Sequence, residues 1–248
     1  RINFKNSHTN PVVIAKPLSN KGWMPVHAKI KDVDSTGFSI RVDEWDYRRE
    51  VTASEKVNYL VMESGQYEIN GNKIEVGKVN AQKYYDSSVT FSQTIDPKPI
   101  IFAQVQTYNG GESVVTRINK VTKTGFDVRM QEQEKFMQET STNYGHVQET
   151  VGWIAIQPGT GTYGNMKYEL GRTTINNNWK TIDFNQQFEN HVFLADIQSI
   201  NEEDTATLKY KYLMYNFLEV KIQEERSEDD ELIHVNEDVG YAVLGYTT

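Results

Sequence analysis

Phe38-Ser-Ile-Arg-Val-Asp-Glu44 returns as Phe126-Asp-Val-Arg-Met-Gln-Glu132 and again as Leu218-Glu-Val-Lys-Ile-Gln-Glu224. The spacings are 88 and then 92 residues. The same two spacings relate Pro11-Val-Val-Ile-Ala15 to Pro99-Ile-Ile-Phe-Ala103 and to His191-Val-Phe-Leu-Ala195. A third block, Glu55-Lys-Val-Asn-Tyr59, matches Glu149-Thr-Val-Gly-Trp153 and Glu237-Asp-Val-Gly-Tyr241. Three ordered blocks in three copies mark a tandem repeat. A fourth block pairs Ile74-Glu-Val-Gly77 with Tyr168-Glu-Leu-Gly171, each followed by an aromatic, Phe91 or Phe184. It places the unit boundaries near residues 78 and 171, giving units 1–78, 79–171 and 172–248.

Each block reads as an alternation of apolar and polar residues, the pattern of a half-buried strand. In the first copy Phe38, Ile40 and Val42 share one face while Ser39, Arg41 and Asp43 share the other. Gly37 and Gly125 precede that strand and are expected to close a tight turn through a positive φ. Asn70-Gly71 is a hairpin signal. No stretch carries a sustained helical period. Short strands at regular spacing, in units of about 80 residues, read as three small antiparallel β-sandwiches in an all-β chain. So small a sandwich is marginal alone. Short linkers favour packed units, as a pseudo-threefold cluster or a linear array.

The composition narrows the function classes. The chain has 248 residues, 24% of them charged and 38% hydrophobic. Its mean hydropathy is −0.63, and no apolar run nears the roughly 18 residues that span a bilayer. With no cysteine there is no disulfide and no thiolate metal site. A net charge of −8 argues against non-specific binding to nucleic acid. That charge is uneven: the three units carry +2, −1 and −9. The chain opens on Arg1-Ile-Asn-Phe4 without Met or leader, which reads as a piece of a longer polypeptide.

The ordered motif P-(V/I)-(V/I)-x-A, G-F-x-(V/I)-R-(V/M), E-x-V-x-(Y/W) resembles the H-type lectin domain, in three copies over essentially the whole chain. The resemblance implies six-stranded sandwiches that assemble as trimers and bind galactose-type sugars. Similar repeats accompany large secreted bacterial proteins, including polysaccharide-degrading enzymes. Here the trimer would be written into one chain. The motif is made of core and turn residues, so it speaks to fold more than to ligand.

The loop after the second block differs most between copies, and binding is expected there. Sugar recognition needs a flat aromatic face and planar hydrogen-bonding groups. In copy one Trp45, Tyr47, Arg48 and Arg49 supply that set. Trp23 and His27, in and just beyond the Ser19-Asn-Lys-Gly-Trp-Met-Pro25 turn, form a second exposed candidate. In copy two the longer loop offers Phe136, Tyr144 and His146. The competing reading packs these aromatics between units.

Glu44, Glu132 and Glu224, like Glu55, Glu149 and Glu237, recur in every copy. Recurrence argues against a glycosidase acid and nucleophile. The carboxylates are expected to accept hydrogen bonds from backbone N–H groups or Arg at the sandwich ends. His146-x-x-Glu149 and His234-x-x-Glu237 lack a second His and read as polar bridges, not a zinc site. The acidic loop Glu228-Asp-Asp-Glu231 could attract Ca²⁺ but reads as a solvated face. No cofactor is expected.

These readings converge on a non-catalytic carbohydrate-binding module of a secreted or cell-surface bacterial protein, taking a galactan-type polysaccharide beside a larger partner. A structural or adhesive spacer is the alternative, and a polysaccharide hydrolase or lyase a weaker one.

Overall fold

A computed structural model of the chain describes residues 1–47, 53–83, 85–137, 146–229 and 232–246. It is all-β apart from one helical turn, Glu134–Met137. Each repeat forms two small sheets packed face to face. In unit 2 one sheet orders Ile100–Val105, Glu149–Ile156, Asn72–Ala81 and Gly65–Ile69, all antiparallel. The other orders Val115–Asn119, Gly125–Gln131 and Ser87–Thr90. Unit 3 repeats both. Glu189–Ile197, Glu237–Tyr246, Met166–Ile175 and Gly159–Tyr163 form its four-stranded sheet, and Ala206–Lys211, Phe217–Glu224 and Lys180–Asp183 its second. Unit 1 has Ile2–Asn3, Gly37–Glu44 and Val26–Asp34 in one sheet and Pro11–Ile14 with Leu60–Glu63 in the other.

The pairing moves the expected boundaries. Asn72–Ala81 pairs with Glu149–Ile156 over eight residues, so residue 78 falls inside a strand of unit 2. Met166–Ile175 pairs with Glu237–Tyr246, which puts residue 171 inside unit 3. By pairing, unit 2 runs over 65–156 and unit 3 over 159–246. The Asn70-Gly71 hairpin opens unit 2, with φ of 53° and 79° at its two tip residues.

Gly37 and Gly125 are needed for a different reason from the one expected. Neither has a positive φ; that conformation falls at Asp32, Lys120 and Tyr212, which occupy one repeat position. A Cβ on Gly37 would lie 2.2 Å from the Ile2 carbonyl oxygen, and one on Gly125 2.2 Å from that of Val89. The glycine lets the edge strand close onto the central strand.

Phe126, Val128 and Met130 alternate with more accessible residues, as the pattern requires. The first block, and the third block of units 2 and 3, do not alternate, because their strands are buried on both faces; in unit 1 residues 55–59 form only a single bridge at Val57. Val13 and Ala15 face the core of unit 1, whereas Val12 and Ile14 face a second core. Val151, Trp153 and Ala155 fill unit 2, and Ile154 turns the other way. That second core gathers residues of all three units: Val12, Ile14, Ile74, Val76, Ile100, Phe102, Ile154, Tyr168, Leu170, Leu194 and Ala242. The four-stranded sheets thus hold an apolar centre between units.

Hydrogen bonds between units follow the repeat. An edge strand has unpaired backbone groups that need covering. Gln106 Oε1 accepts from Val13 N–H at 2.9 Å, and Gln106 Nε2 donates to the Val13 carbonyl at 2.8 Å. One unit further on, Gln198 Nε2 donates to the Ile101 carbonyl at 3.3 Å, and Asp196 accepts from Ala103 N–H at 2.9 Å. The contact between units 3 and 1 closes the ring. Leu18–Ser19 adds a parallel strand to Ala206–Lys211, Lys16 and Asp196 pair at 2.7 Å, and Asn58 Nδ2 donates to the Phe193 carbonyl.

Candidate functional site

The recurrent carboxylates organise the ends of the units. Glu149 accepts from Thr107 Oγ1, from Asn109 N–H at 2.6 Å and from Gly110 N–H at 2.8 Å. Glu237 takes Ser199 and Asn201, and Glu55 takes Ser19, Lys21 and Gly22, at the same repeat positions. Burial pushes the Glu149 and Glu237 carboxyls up, but these donors, joined by His146 at Glu149 and by His234 and Arg117 at Glu237, outweigh it and hold both below the usual range. Each carboxylate therefore ties down a loop, at 19–25, 107–113 and 199–205, that reaches the neighbouring unit.

His146 and His234 are buried bridges in the same region. His146 lies 3.1 Å from Glu149 and 3.4 Å from Glu132. His234 lies 2.6 Å from Glu224 and 3.5 Å from Glu237. Burial lowers the affinity of each imidazole for its proton, but the carboxylate bonds win, and His234 is held up at about 9. Glu112, Glu132 and His146, and likewise Glu202, Glu224 and His234, bring one ligand-type atom each within 4.8 Å. In both groups the neighbouring carboxylates favour the protonated imidazole.

The residues expected to bind sugar in copy one are placed otherwise. Trp45 is only 2% exposed, and its ring centroid sits 4.8 Å from that of His27, also buried. Burial drives the His27 pKa down to about 4. Asp46 accepts from Ser113 N–H, and Tyr47 N–H donates to Gln133 Oε1, so this tip docks on unit 2. Asp46 itself stays exposed and Tyr47 half-buried. Arg48, Arg49 and Tyr144 lie outside the described residues, as do Asp230 and Glu231 of the acidic loop. Phe136 lies in the helical turn, whose Glu134 N–H donates to Glu225 of unit 3 at 2.7 Å. Among the aromatic candidates whose side chains are described, Trp23 alone is well exposed, at 65%.

Trp23 marks one of the clefts where a loop of one unit lies over the three-stranded sheet of another. Between units 2 and 3 the cleft is an open groove of ≈ 490 Å³, lined by residues including Asp86, Asn119, Lys120, Arg129, Asn201 and Glu203. Gln131 Nε2 donates to the Glu203 carbonyl across it. Between units 3 and 1, Gln223 Nε2 donates to the Trp23 carbonyl at 3.1 Å, the same contact one repeat on. The Arg226 guanidinium lies 5.9 Å from the Trp23 ring. On the same sheet Lys211 and Lys221 lie 4.3 and 5.1 Å from the ring of Trp179. The cavity of ≈ 60 Å³ enclosed among the three units is too small for a sugar, since ligand pockets hold roughly 300 Å³ or more.

Trp179, Lys211, Lys221 and Arg226 were not legible as site residues. They come from separate loops and strands, and Arg226 meets Trp23 only because unit 1 packs on unit 3. No helix among the described residues is long and apolar enough to cross a membrane.

Over 258 aligned residues the chain is 28% identical to Halomucin of Haloquadratum walsbyi (strain DSM 16790 / HBSQ001). The match takes in 100% of this chain but spans only 3% of that protein's length. No family model and no solved structure matches the chain.

Proposed function

We propose that the chain is a non-catalytic carbohydrate-binding module of a larger exported or cell-surface polypeptide, with the clefts between its units as the glycan sites. The observation that carries this reading is Trp23. Exposing a large flat ring beside a guanidinium, over a neighbouring sheet, provides the stacking face and the directional donor that a pyranose needs. A polar groove at the same repeat position between units 2 and 3 supports the placement. The small fraction of Halomucin that the chain matches fits a module within a long polypeptide. A structural spacer is the second reading, favoured by the burial of Trp45 and His27 and by the bonding of the Asp46 and Tyr47 tip to unit 2.

Affinity electrophoresis of the full chain through gels containing neutral and acidic galactans separates the two. The module should be retarded by at least one glycan, and Trp23→Ala should weaken that retardation roughly tenfold or more while leaving the thermal midpoint unchanged. A chain that migrates freely through every glycan is a spacer.

A further inference from the structure

The clefts occupy one repeat position but are lined differently, and the difference specifies a ligand class. Between units 2 and 3 the cations are matched by acids. Lys120 pairs with Asp86 at 3.0 Å and with Asp127 at 2.8 Å, and Arg129 pairs with Glu203. The register carries each of these positions into the cleft between units 3 and 1. Arg129, opposite Arg117, corresponds to Lys221, opposite Lys209. Asn119, opposite Asp127, corresponds to Lys211, opposite Glu219. Asp86, just before Ser87–Thr90, corresponds to Trp179, just before Lys180–Asp183. Glu203 corresponds to Trp23, as their shared carbonyl contacts show.

Two of the three carboxylates that neutralise the first cleft, Asp86 and Glu203, are therefore tryptophans in the second, while Asp127 is matched there by Glu219. Lys211 has Glu219 at 2.7 Å, but Lys221 and Arg226 face rings. Burial and the nearby charges of Lys211 and Arg226 hold the Lys221 ammonium below its usual range, so the three cations share one patch. Arg226 Nε and Gln223 Oε1 are buried without a hydrogen-bond partner among the described residues. Tyr212, 60% exposed and 4.9 Å from Lys211 Nζ, adds a further ring.

We propose that the cleft between units 3 and 1 binds an anionic polysaccharide, sulfated or carboxylated, with Trp23 and Trp179 stacking on sugar rings and Lys221, Lys211 and Arg226 holding its acid groups. This rests on the carbohydrate-binding reading above and adds the charge of the ligand. Aromatic faces spaced by cations match a chain of apolar ring faces and regularly spaced anions. Double-stranded DNA is the less favoured polyanion, because its bases are stacked inside the duplex and present no open ring face to Trp23 and Trp179.

The test uses the full chain with agarose, carrageenan, polygalacturonate and double-stranded DNA as probes, by affinity electrophoresis or titration calorimetry over a salt series. Carrageenan or polygalacturonate should bind about tenfold or more tightly than agarose, and increasingly weakly as salt rises. Lys221→Gln and Arg226→Gln should each lower that affinity roughly tenfold. Trp23→Glu with Trp179→Asp, which rebuilds the lining of the neighbouring cleft on exposed or half-exposed positions, should abolish it with an unchanged thermal midpoint. Equal binding of agarose, unaffected by Lys221→Gln, would overturn the anionic assignment and leave the carbohydrate reading standing. Failure of every glycan would remove both. DNA binding as tight as carrageenan would reduce the cleft to a general polyanion site and overturn the proposal.

Discussion

At the scale of single residues, position in the repeat predicts role only where the chemistry is local. Glu55, Glu149 and Glu237 were legible as structural acceptors because three copies of one carboxylate imply one shared job, and each binds the same loop backbone. Trp45 is buried, the outcome that the competing reading of the hairpin expects, and nothing within the hairpin itself reveals that its tip is bonded to unit 2. His234 gives a prediction at this scale. Its pKa is about 9 in the fold against 6.5 for a free imidazole, so the folded state holds the proton more tightly. The stability this adds is fully present below pH 6.5 and lost as pH rises through about 9. Thermal midpoints measured between pH 6 and 10 should fall across that window, and His234→Gln should flatten the fall. A slope unchanged by the substitution would assign it to other groups.

Among strands and loops, the second block was legible in copy two, where one face is wetter and burial alternates, but in copy one Asp43 of the expected polar face is buried. The first and third blocks read less cleanly because their strands bury both faces, one in the unit and one between units. The glycine of the third block belongs to this level. A Cβ on Gly240 would lie 1.7 Å from Gln198 Nε2 and 2.6 Å from Ile100 of unit 2. Gln198 spans to the Ile101 carbonyl there, so it has little room to give. Gly240→Ala should destabilise the protein by about 1–3 kcal/mol through overpacking, read as a lowered denaturant midpoint. No change in midpoint would show that units 2 and 3 separate more freely than this contact implies.

For the molecule as a whole, the shared core means that no unit presents a finished surface on its own. Val12, Phe102, Leu170 and Leu194 would all meet water if the ring opened. The chain should therefore unfold in one cooperative transition, with calorimetric and van't Hoff enthalpies in agreement. Two or three resolved transitions would contradict a common centre. What the sequence determined by itself was the repeat, the all-β class, the central strands and the end carboxylates. These rest on periodicity and copy number, which a linear string carries. Tertiary structure alone decided which aromatics are buried and which cations lie against aromatic rings. The −9 of the last unit concealed a basic, aromatic face, because net charge sums over surfaces that point in different directions. Trp23 and Gln223 meet across 200 residues of chain, and no local pattern encodes which loop covers which sheet.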